Sequence, residues 1–87
     1  MTISRAEFLR LLPVAVGHAR WHIEDGQLVG EDASPGWRIR LDEMPARAFG
    51  PVRLPVLGVT LFLDGMIETE RTAFVARFLL GFQRAGG

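Results

Sequence analysis

Arginine side chains occur at alternating positions in two short stretches, an arrangement suited to binding an anion. Arg20 and His22 alternate with apolar residues in "HARWHIE", as Arg38 and Arg40 do in "WRIRL". Because successive side chains of a β-strand point to opposite faces, we predict that these residues share one sheet face with Phe62. Guanidinium groups bind phosphate or carboxylate in a bidentate manner and stack on bases. This face is the candidate surface for an anion or a partner.

The same face is also explained as an ordinary solvated surface. Ten Arg residues, with no Lys, are balanced by ten Asp and Glu residues, so the formal net charge is zero. Arginines on such a face commonly pair with carboxylates of neighbouring strands. Nucleic-acid binding depends on a surplus of basic charge, which this composition lacks. We therefore favour the solvated face and keep anion or nucleic-acid binding as an alternative.

His18 and His22 have the spacing of two metal ligands on a helix. The alternation of polar and apolar residues around them predicts a strand instead, which would separate the two side chains by about 13 Å. That distance is too long for one ion. Because the chain has no Cys, disulfides, thiolate catalysis and Cys-based metal sites are excluded as well. We predict no metal site.

The hydroxyl and acidic residues form no recognisable catalytic group. Ser4 is predicted to cap a helix, and Ser34 precedes Pro35 in a loop. No serine lies in a G-x-S-x-G context, and without Lys neither a Schiff base nor a P-loop can form. The adjacent acidic pairs fall at predicted turns, where solvation explains them. We predict that the chain is not an enzyme and uses no cofactor.

The sequence ends "LGFQRAGG", and Gly86-Gly87 resembles the tail of ubiquitin-like modifiers and sulfur-carrier proteins. The resemblance implies a C-terminus presented for adenylation. Members of those families open with a β-hairpin and reach the tail from a strand, whereas this chain is predicted to approach its glycines from a helix. We therefore predict that Gly86 closes that helix in a left-handed conformation, with the carrier as an alternative.

Helices are predicted at both ends of the chain. In "ISRAEF", Ser4 and Glu7 have the spacing of a capping box, and Ile3 with Phe8 that of a hydrophobic staple. Pro13 is predicted to end or kink this helix, with Gly17 as its latest end. The second helix is predicted from Glu68 to about Arg84. Its apolar stripe comprises Ile67, Phe74, Val75, Phe78, Leu79 and Phe82.

Between the helices, alternating patterns predict strands. Asp25-Gly26 indicates a tight hairpin, Trp21 and Trp37 are predicted to face the core, and the segment from Leu57 to Leu63 forms a strand. Residues 46–50 are predicted to resume pairing after Pro45, and 51–55 to form an edge, bulge or turn. The predicted fold is one α+β domain over residues 1–87. It has a four- or five-stranded antiparallel meander with both helices packed on one face.

The chain is unusually apolar for its length. Hydrophobic residues make up 48%, and ten glycines raise the sum to about 60% of 87 residues, against about 45–50% in ordinary domains. Val52, Val56, Phe62 and Leu80 have no place on the predicted buried faces. No uncharged run approaches the length of a membrane span, and no targeting signal is recognised, so we expect a cytoplasmic protein. The resulting hypothesis is a non-enzymatic accessory or protein-interaction module that forms a homodimer.

Overall fold

The computed structural model describes residues 1–17, 20–31 and 35–86, with side chains described as far as residue 83. The elements are, in chain order, α1 (Arg5–Ala15), β1 (Trp21–Glu24), β2 (Gln27–Gly30), β3 (Arg38–Phe49), β4 (Val52–Phe62) and α2 (Glu68–Gly86). The strands form one antiparallel sheet in the order β1-β2-β3-β4. The predicted α+β class and antiparallel meander are confirmed, with four strands.

The predicted capping box at the start of α1 is formed in part. The Ser4 hydroxyl accepts a hydrogen bond from the Glu7 backbone N–H at 3.1 Å, and Ile3 and Phe8 are both buried. The Glu7 carboxylate accepts hydrogen bonds from the Arg10 guanidinium, which lowers the pKa of Glu7. The capping box is therefore formed on one side only, because the carboxylate is engaged by a side chain on its own helix.

α1 ends within the range that the sequence predicts, between Pro13 and Gly17. The helix continues through the proline to Ala15, and the Val16 N–H still donates to the Leu12 carbonyl at 3.0 Å. Gly17 then leaves the helix with a φ of 73°, a value that glycine adopts without strain. Only two helical residues follow Pro13, so the proline lies in the last turn of α1.

Aromatic rings join the two helices on one face of the sheet. The ring of Phe8 on α1 stacks on Phe82 of α2 with centroids 4.6 Å apart, and Phe78 lies 4.8 Å from Phe82. The helices also approach closely at Gly81, where an added Cβ would lie 2.7 Å from the Ala15 Cα. The largest fully buried side chains are Phe8, Leu12, Ile39 and Leu57.

The core covers less of the sheet and of α2 than the sequence predicts. Trp37 is buried as expected, and Trp21 is half-buried. Ile23, on the helix-facing side of β1, is 57% exposed, because β1 is an edge strand of the sheet. Ile67 and Leu79, two members of the predicted α2 stripe, are also exposed. Ile67 precedes the helix, and Leu79 is turned about 100° away from its buried neighbour Phe78.

The β1–β2 and β3–β4 hairpins each close with a two-residue turn. Asp25 and Gly26, where the tight hairpin is predicted, both have the positive φ that a type I′ turn requires. The β3–β4 hairpin closes at Gly50-Pro51, where the first central residue has a φ of 57°. Of the predicted residues 46–50, those from Arg47 to Phe49 resume pairing and belong to β3, whereas Ala46 lies in a bulge and Gly50 in the turn.

The β3–β4 hairpin extends well beyond the rest of the molecule. Every residue from 42 to 55 is exposed, and we call residues 42–56, which include the half-buried Val56 at the base, the arm. The remainder, which contains both helices and the four-stranded part of the sheet, is the body. The molecule measures 45 × 26 × 20 Å, and its radius of gyration is 13.7 Å. A compact domain of this length is expected near 12 Å, so the arm makes the molecule elongated.

Candidate interaction surface

The residues of the predicted arginine face are neighbours on the side of the sheet that faces away from the helices, which we call the outer face. His22 pairs with Val29, Val29 with Arg38, and Arg38 with Phe62, so these four side chains form one row across all four strands. Arg40 lies two residues along β3, on the same face. Arg20 immediately precedes β1, and its carbonyl accepts from the Glu31 N–H at 2.7 Å.

Carboxylates are interspersed among these basic groups. The His22 ring lies 3.3 Å from a Glu24 oxygen and 3.2 Å from a Glu31 oxygen. The Arg40 Nε donates to an Asp42 oxygen at 3.1 Å. The body part of the outer face therefore carries acidic groups beside its basic ones. Of these three contacts, only His22–Glu31 crosses the β1–β2 hairpin, and the other two join residues two apart on one strand. This arrangement resembles a solvated face with ion pairs more than a pocket for an anion.

In β4, the hydrophobic pattern changes phase where the strand passes from body to arm. Within the body, Leu57, Val59 and Leu61 face the helices, and Gly58 and Thr60 lie on the outer face. In the arm, the helix-side positions are Arg53 and Pro55. The apolar side chains of the arm strand therefore lie on the outer face. They are Val52, Leu54 and Val56.

In β3, a β-bulge makes the same change. The register shifts between Met44, which pairs with Val56, and Arg47, which pairs with Leu54. Without the extra residue, Arg47 and Phe49 would continue the helix-facing positions of Ile39 and Leu41. The bulge turns both onto the outer face, where the Arg47 guanidinium carbon lies 5.9 Å from the centre of the Phe49 ring.

The result is a continuous apolar surface on the outer face of the arm. Met44, Phe49 and Val52 are each at least half exposed. They surround Leu54 and the half-buried Val56. From Val52 to Phe62 this outer row of β4 runs for about 34 Å. Val52, Val56 and Phe62 are predicted to lie off the helix-covered face, and the register agrees. Met44, Leu54 and Phe49 are not predicted there. The sequence signal for their position is the adjacent apolar pair at positions 56 and 57, which interrupts the alternation of β4.

The two prolines within the arm strands have their backbone nitrogens on the side away from the β3–β4 ladder. The Leu57 N–H donates to the Met1 carbonyl at 2.7 Å, so odd-numbered residues of β4 point their N–H groups to the outer edge. Pro55 belongs to this set. Pro45 lies in the bulge of β3, in the part of that strand beyond its pairing with β2. Each proline removes a donor from a free edge, which disfavours addition of a further strand.

The predicted absence of a metal pair is only partly addressed by the structure. His18 lies outside the described residues, and His22 is an exposed side chain on β1. Within residues 1–17, 20–31 and 35–86, no group of three or more metal-ligating side chains comes together.

The diglycine segment differs from its prediction. α2 continues to Gly86, so this residue is the last of the helix rather than the residue that closes it. The helix is thus two residues longer than predicted, because Gly lowers helix propensity without preventing helical geometry. Gly87 lies outside the described residues.

Comparison of the chain with protein-family models, curated proteins and solved structures finds no match in any of the three. Among the described residues, no helix is both long enough and apolar enough to cross a membrane.

Proposed function

We propose that this chain is a non-enzymatic protein-interaction module that forms a homodimer through the outer face of the arm. One observation carries the proposal. The apolar side chains of a hairpin that extends from the body are directed away from the protein's own core. The arm has no helix behind it, so those side chains contribute nothing to the body's core.

Exposed apolar side chains of the arm supply the free energy for association. Phe49, Val52 and Met44 are 56%, 51% and 50% exposed. Each Å² of apolar surface removed from water contributes about 25 cal/mol, so these residues favour association. Contiguous apolar patches of a few hundred Å² on soluble domains commonly mark interaction sites. Catalysis, in contrast, requires convergent polar groups, which the outer face of the arm lacks.

A second copy of the chain is the partner that the composition favours. The surplus of apolar residues over an ordinary domain of this size is a property of the chain itself. The net charge of zero imposes no long-range repulsion between copies. Two-fold dimers are the commonest oligomers, and they bury the same patch on both subunits.

The first experiment measures mass in solution. Sedimentation at micromolar concentration should give about twice 9.7 kDa for the wild type. Leu54→Glu should give a monomer, because it places a charge in the centre of the apolar surface. Leu80→Glu is the matched control, since Leu80 is 60% exposed on α2, away from the arm, and it should leave the dimer intact.

Each other outcome would overturn part of the proposal. A wild-type monomer at high micromolar concentration would exclude the homodimer. A dimer lost in Leu80→Glu but retained in Leu54→Glu would move the interface to the helices. Retention of the dimer in both variants would exclude the arm.

A further inference from the structure

We infer that two copies meet outer face to outer face, with their arms antiparallel, around a two-fold axis that crosses both strands at the Met44–Val56 pair. This inference rests on the proposed function and specifies how the two copies recognise one another. It follows from the sequence of cross-strand pairs on the outer face, which is complementary to itself about that pair.

The outer face of the arm can be described as successive cross-strand pairs. The central pair is Met44–Val56. On the side of the arm's tip, the next pair on the outer face is Arg47–Leu54. On the side of the body, the next pair is Asp42–Gly58. Each flanking pair is about 7 Å from the centre. A two-fold axis across the strands reverses their direction, so the Arg47–Leu54 pair of one copy lies over the Asp42–Gly58 pair of the other.

The side chains of these two pairs differ in size. Gly58 has no side chain, so nothing projects from the outer face at its own position, and a Cβ there would lie 3.3 Å from the Asp42 carbonyl oxygen and 3.6 Å from the Met44 sulfur. Leu54 extends from the same face and is 36% exposed. The axis places the Leu54 side chain of each copy over the Gly58 backbone of the other.

The charges of the same pairs are complementary. On β3, the axis places Arg47 opposite the partner's Asp42, and the symmetry makes this contact twice. Within one copy, Asp42 accepts a hydrogen bond from Arg40, and Arg47 lies near the Phe49 ring. Both groups are exposed on the outer face and reachable by a second copy. Charge complementarity of this kind sets the register of an interface.

Two other arrangements of the copies fit less well. A two-fold axis along the strands would place Arg47 over Leu54 and leave Asp42 over the empty Gly58 position. Edge-to-edge pairing, the other common route for strands, is disfavoured by Pro45 and Pro55 at the free edges of the arm. The antiparallel face-to-face arrangement places Leu54 over Gly58 and Arg47 opposite Asp42. Its matched pairs span about 14 Å along the strands, which makes it a small interface with a concentration-dependent dimer.

Charge reversal tests the register. Arg47→Asp and Asp42→Arg should each raise the dimer dissociation constant at least about tenfold, because like charges then face each other twice. The double variant restores both contacts and should dimerise within about threefold of wild type. Arg53→Asp is the control, since Arg53 lies on the helix-facing side of the arm, and it should change little.

Mixing the two single variants provides a second test. In a heterodimer of Arg47→Asp with Asp42→Arg, both contacts join opposite charges. The equimolar mixture should therefore dimerise more tightly than either variant alone, which only a contact between copies explains. Sedimentation velocity measures the dissociation constant for the wild type, the four variants and the mixture. Thermal unfolding verifies that each protein is folded.

The outcomes separate this inference from the proposed function. If Leu54→Glu abolishes the dimer but neither the double variant nor the mixture recovers affinity, the register is wrong and the interaction surface stands. If the wild type is monomeric, both are wrong. Recovery in the double variant and in the mixture supports both.

Discussion

The body and the arm use the same two strands, β3 and β4, but direct their apolar side chains to opposite faces. In the body, Leu57 and Ile39 lie under the helices and are almost fully buried. In the arm, Val52 and Phe49 lie on the outer face and are more than half exposed. The phase change occurs in both strands at the same level, by an adjacent apolar pair in β4 and by a β-bulge in β3.

This difference shows that the arm is more than a longer piece of the same hairpin. A strand that simply ran past its helices would keep its apolar residues on the helix side, where they would be solvated without a partner. In this protein the apolar residues of β4 move to the outer face in the arm, and the bulge at Pro45-Ala46 brings Phe49 of β3 onto that same face. Bulges redirect side chains in this way. Stability of the monomer should therefore depend on the body, and association on the arm.

The largest expected effect is a loss of stability from a substitution in the body that the matching substitution in the arm does not cause. Phe8→Ala should lower the free energy of unfolding by about 3–5 kcal/mol, because Phe8 is fully buried against Phe82 and Phe78. Phe49→Ala in the arm should change the monomer by less than about 0.5 kcal/mol. Chemical denaturation at a concentration below the dimer range measures both. Equal losses would show that the arm contributes to the folded core.

A smaller effect is expected at the contact between the helices. Gly81→Ala should destabilise the protein by about 1–3 kcal/mol, because the new Cβ would lie 2.7 Å from the Ala15 Cα. This loss opposes the gain in helix propensity that alanine normally gives. Gly65→Ala is the control, since nothing lies within 4 Å of its Cβ position. If Gly81→Ala proved more stable than wild type, the close approach of the helices would be excluded.

The cap of α1 comes next. Ser4→Ala should cost about 0.5–2 kcal/mol, because the Glu7 backbone N–H loses its 3.1 Å hydrogen bond. The denaturation midpoint measures this loss, and Ser4→Asp, which can also cap, should recover most of it. An unchanged midpoint in Ser4→Ala would mean that water replaces the hydroxyl without cost.

The smallest effect concerns pH. The hydrogen bond from Arg10 lowers the pKa of Glu7 in the folded protein, so the pair contributes stability above the ordinary pKa of a glutamate. That contribution is lost as the pH falls through the lower folded value. Glu7→Gln should therefore be slightly less stable than wild type at neutral pH, and the difference should shrink in acid. Thermal unfolding across this range measures it, and a constant difference would contradict the assignment.

The sequence predicts most of the body because its signals are local. The Ser4 cap, the Asp25-Gly26 turn and the alternation from Leu57 to Leu63 each depend on residues close in the chain. The length of the strands was less predictable, because Pro45 and Pro55 normally end a strand. Only the pairing reveals that both prolines occupy edge positions where their missing N–H groups have no effect on the ladder.

Part of the candidate surface could likewise be predicted from the sequence, and part depends on the strand pairing. Arg38, His22 and Phe62 could be placed on one face from alternation alone, and the register confirms that they form a row. The contact of His22 with Glu31 could not be predicted, since it depends on which strands are neighbours. The exposed apolar surface of the arm was predicted only at Val52 and Val56.

The sequence by itself determined the class of the fold, the Ser4 cap, the Asp25-Gly26 turn and the surplus of apolar residues. These properties follow from composition and from interactions between residues a few positions apart. The tertiary structure decided where that surplus lies, because the face of a strand that is buried depends on how far the helices reach. In this protein the helices cover the body alone, and the bulge in β3 gives the arm beyond them an apolar outer face.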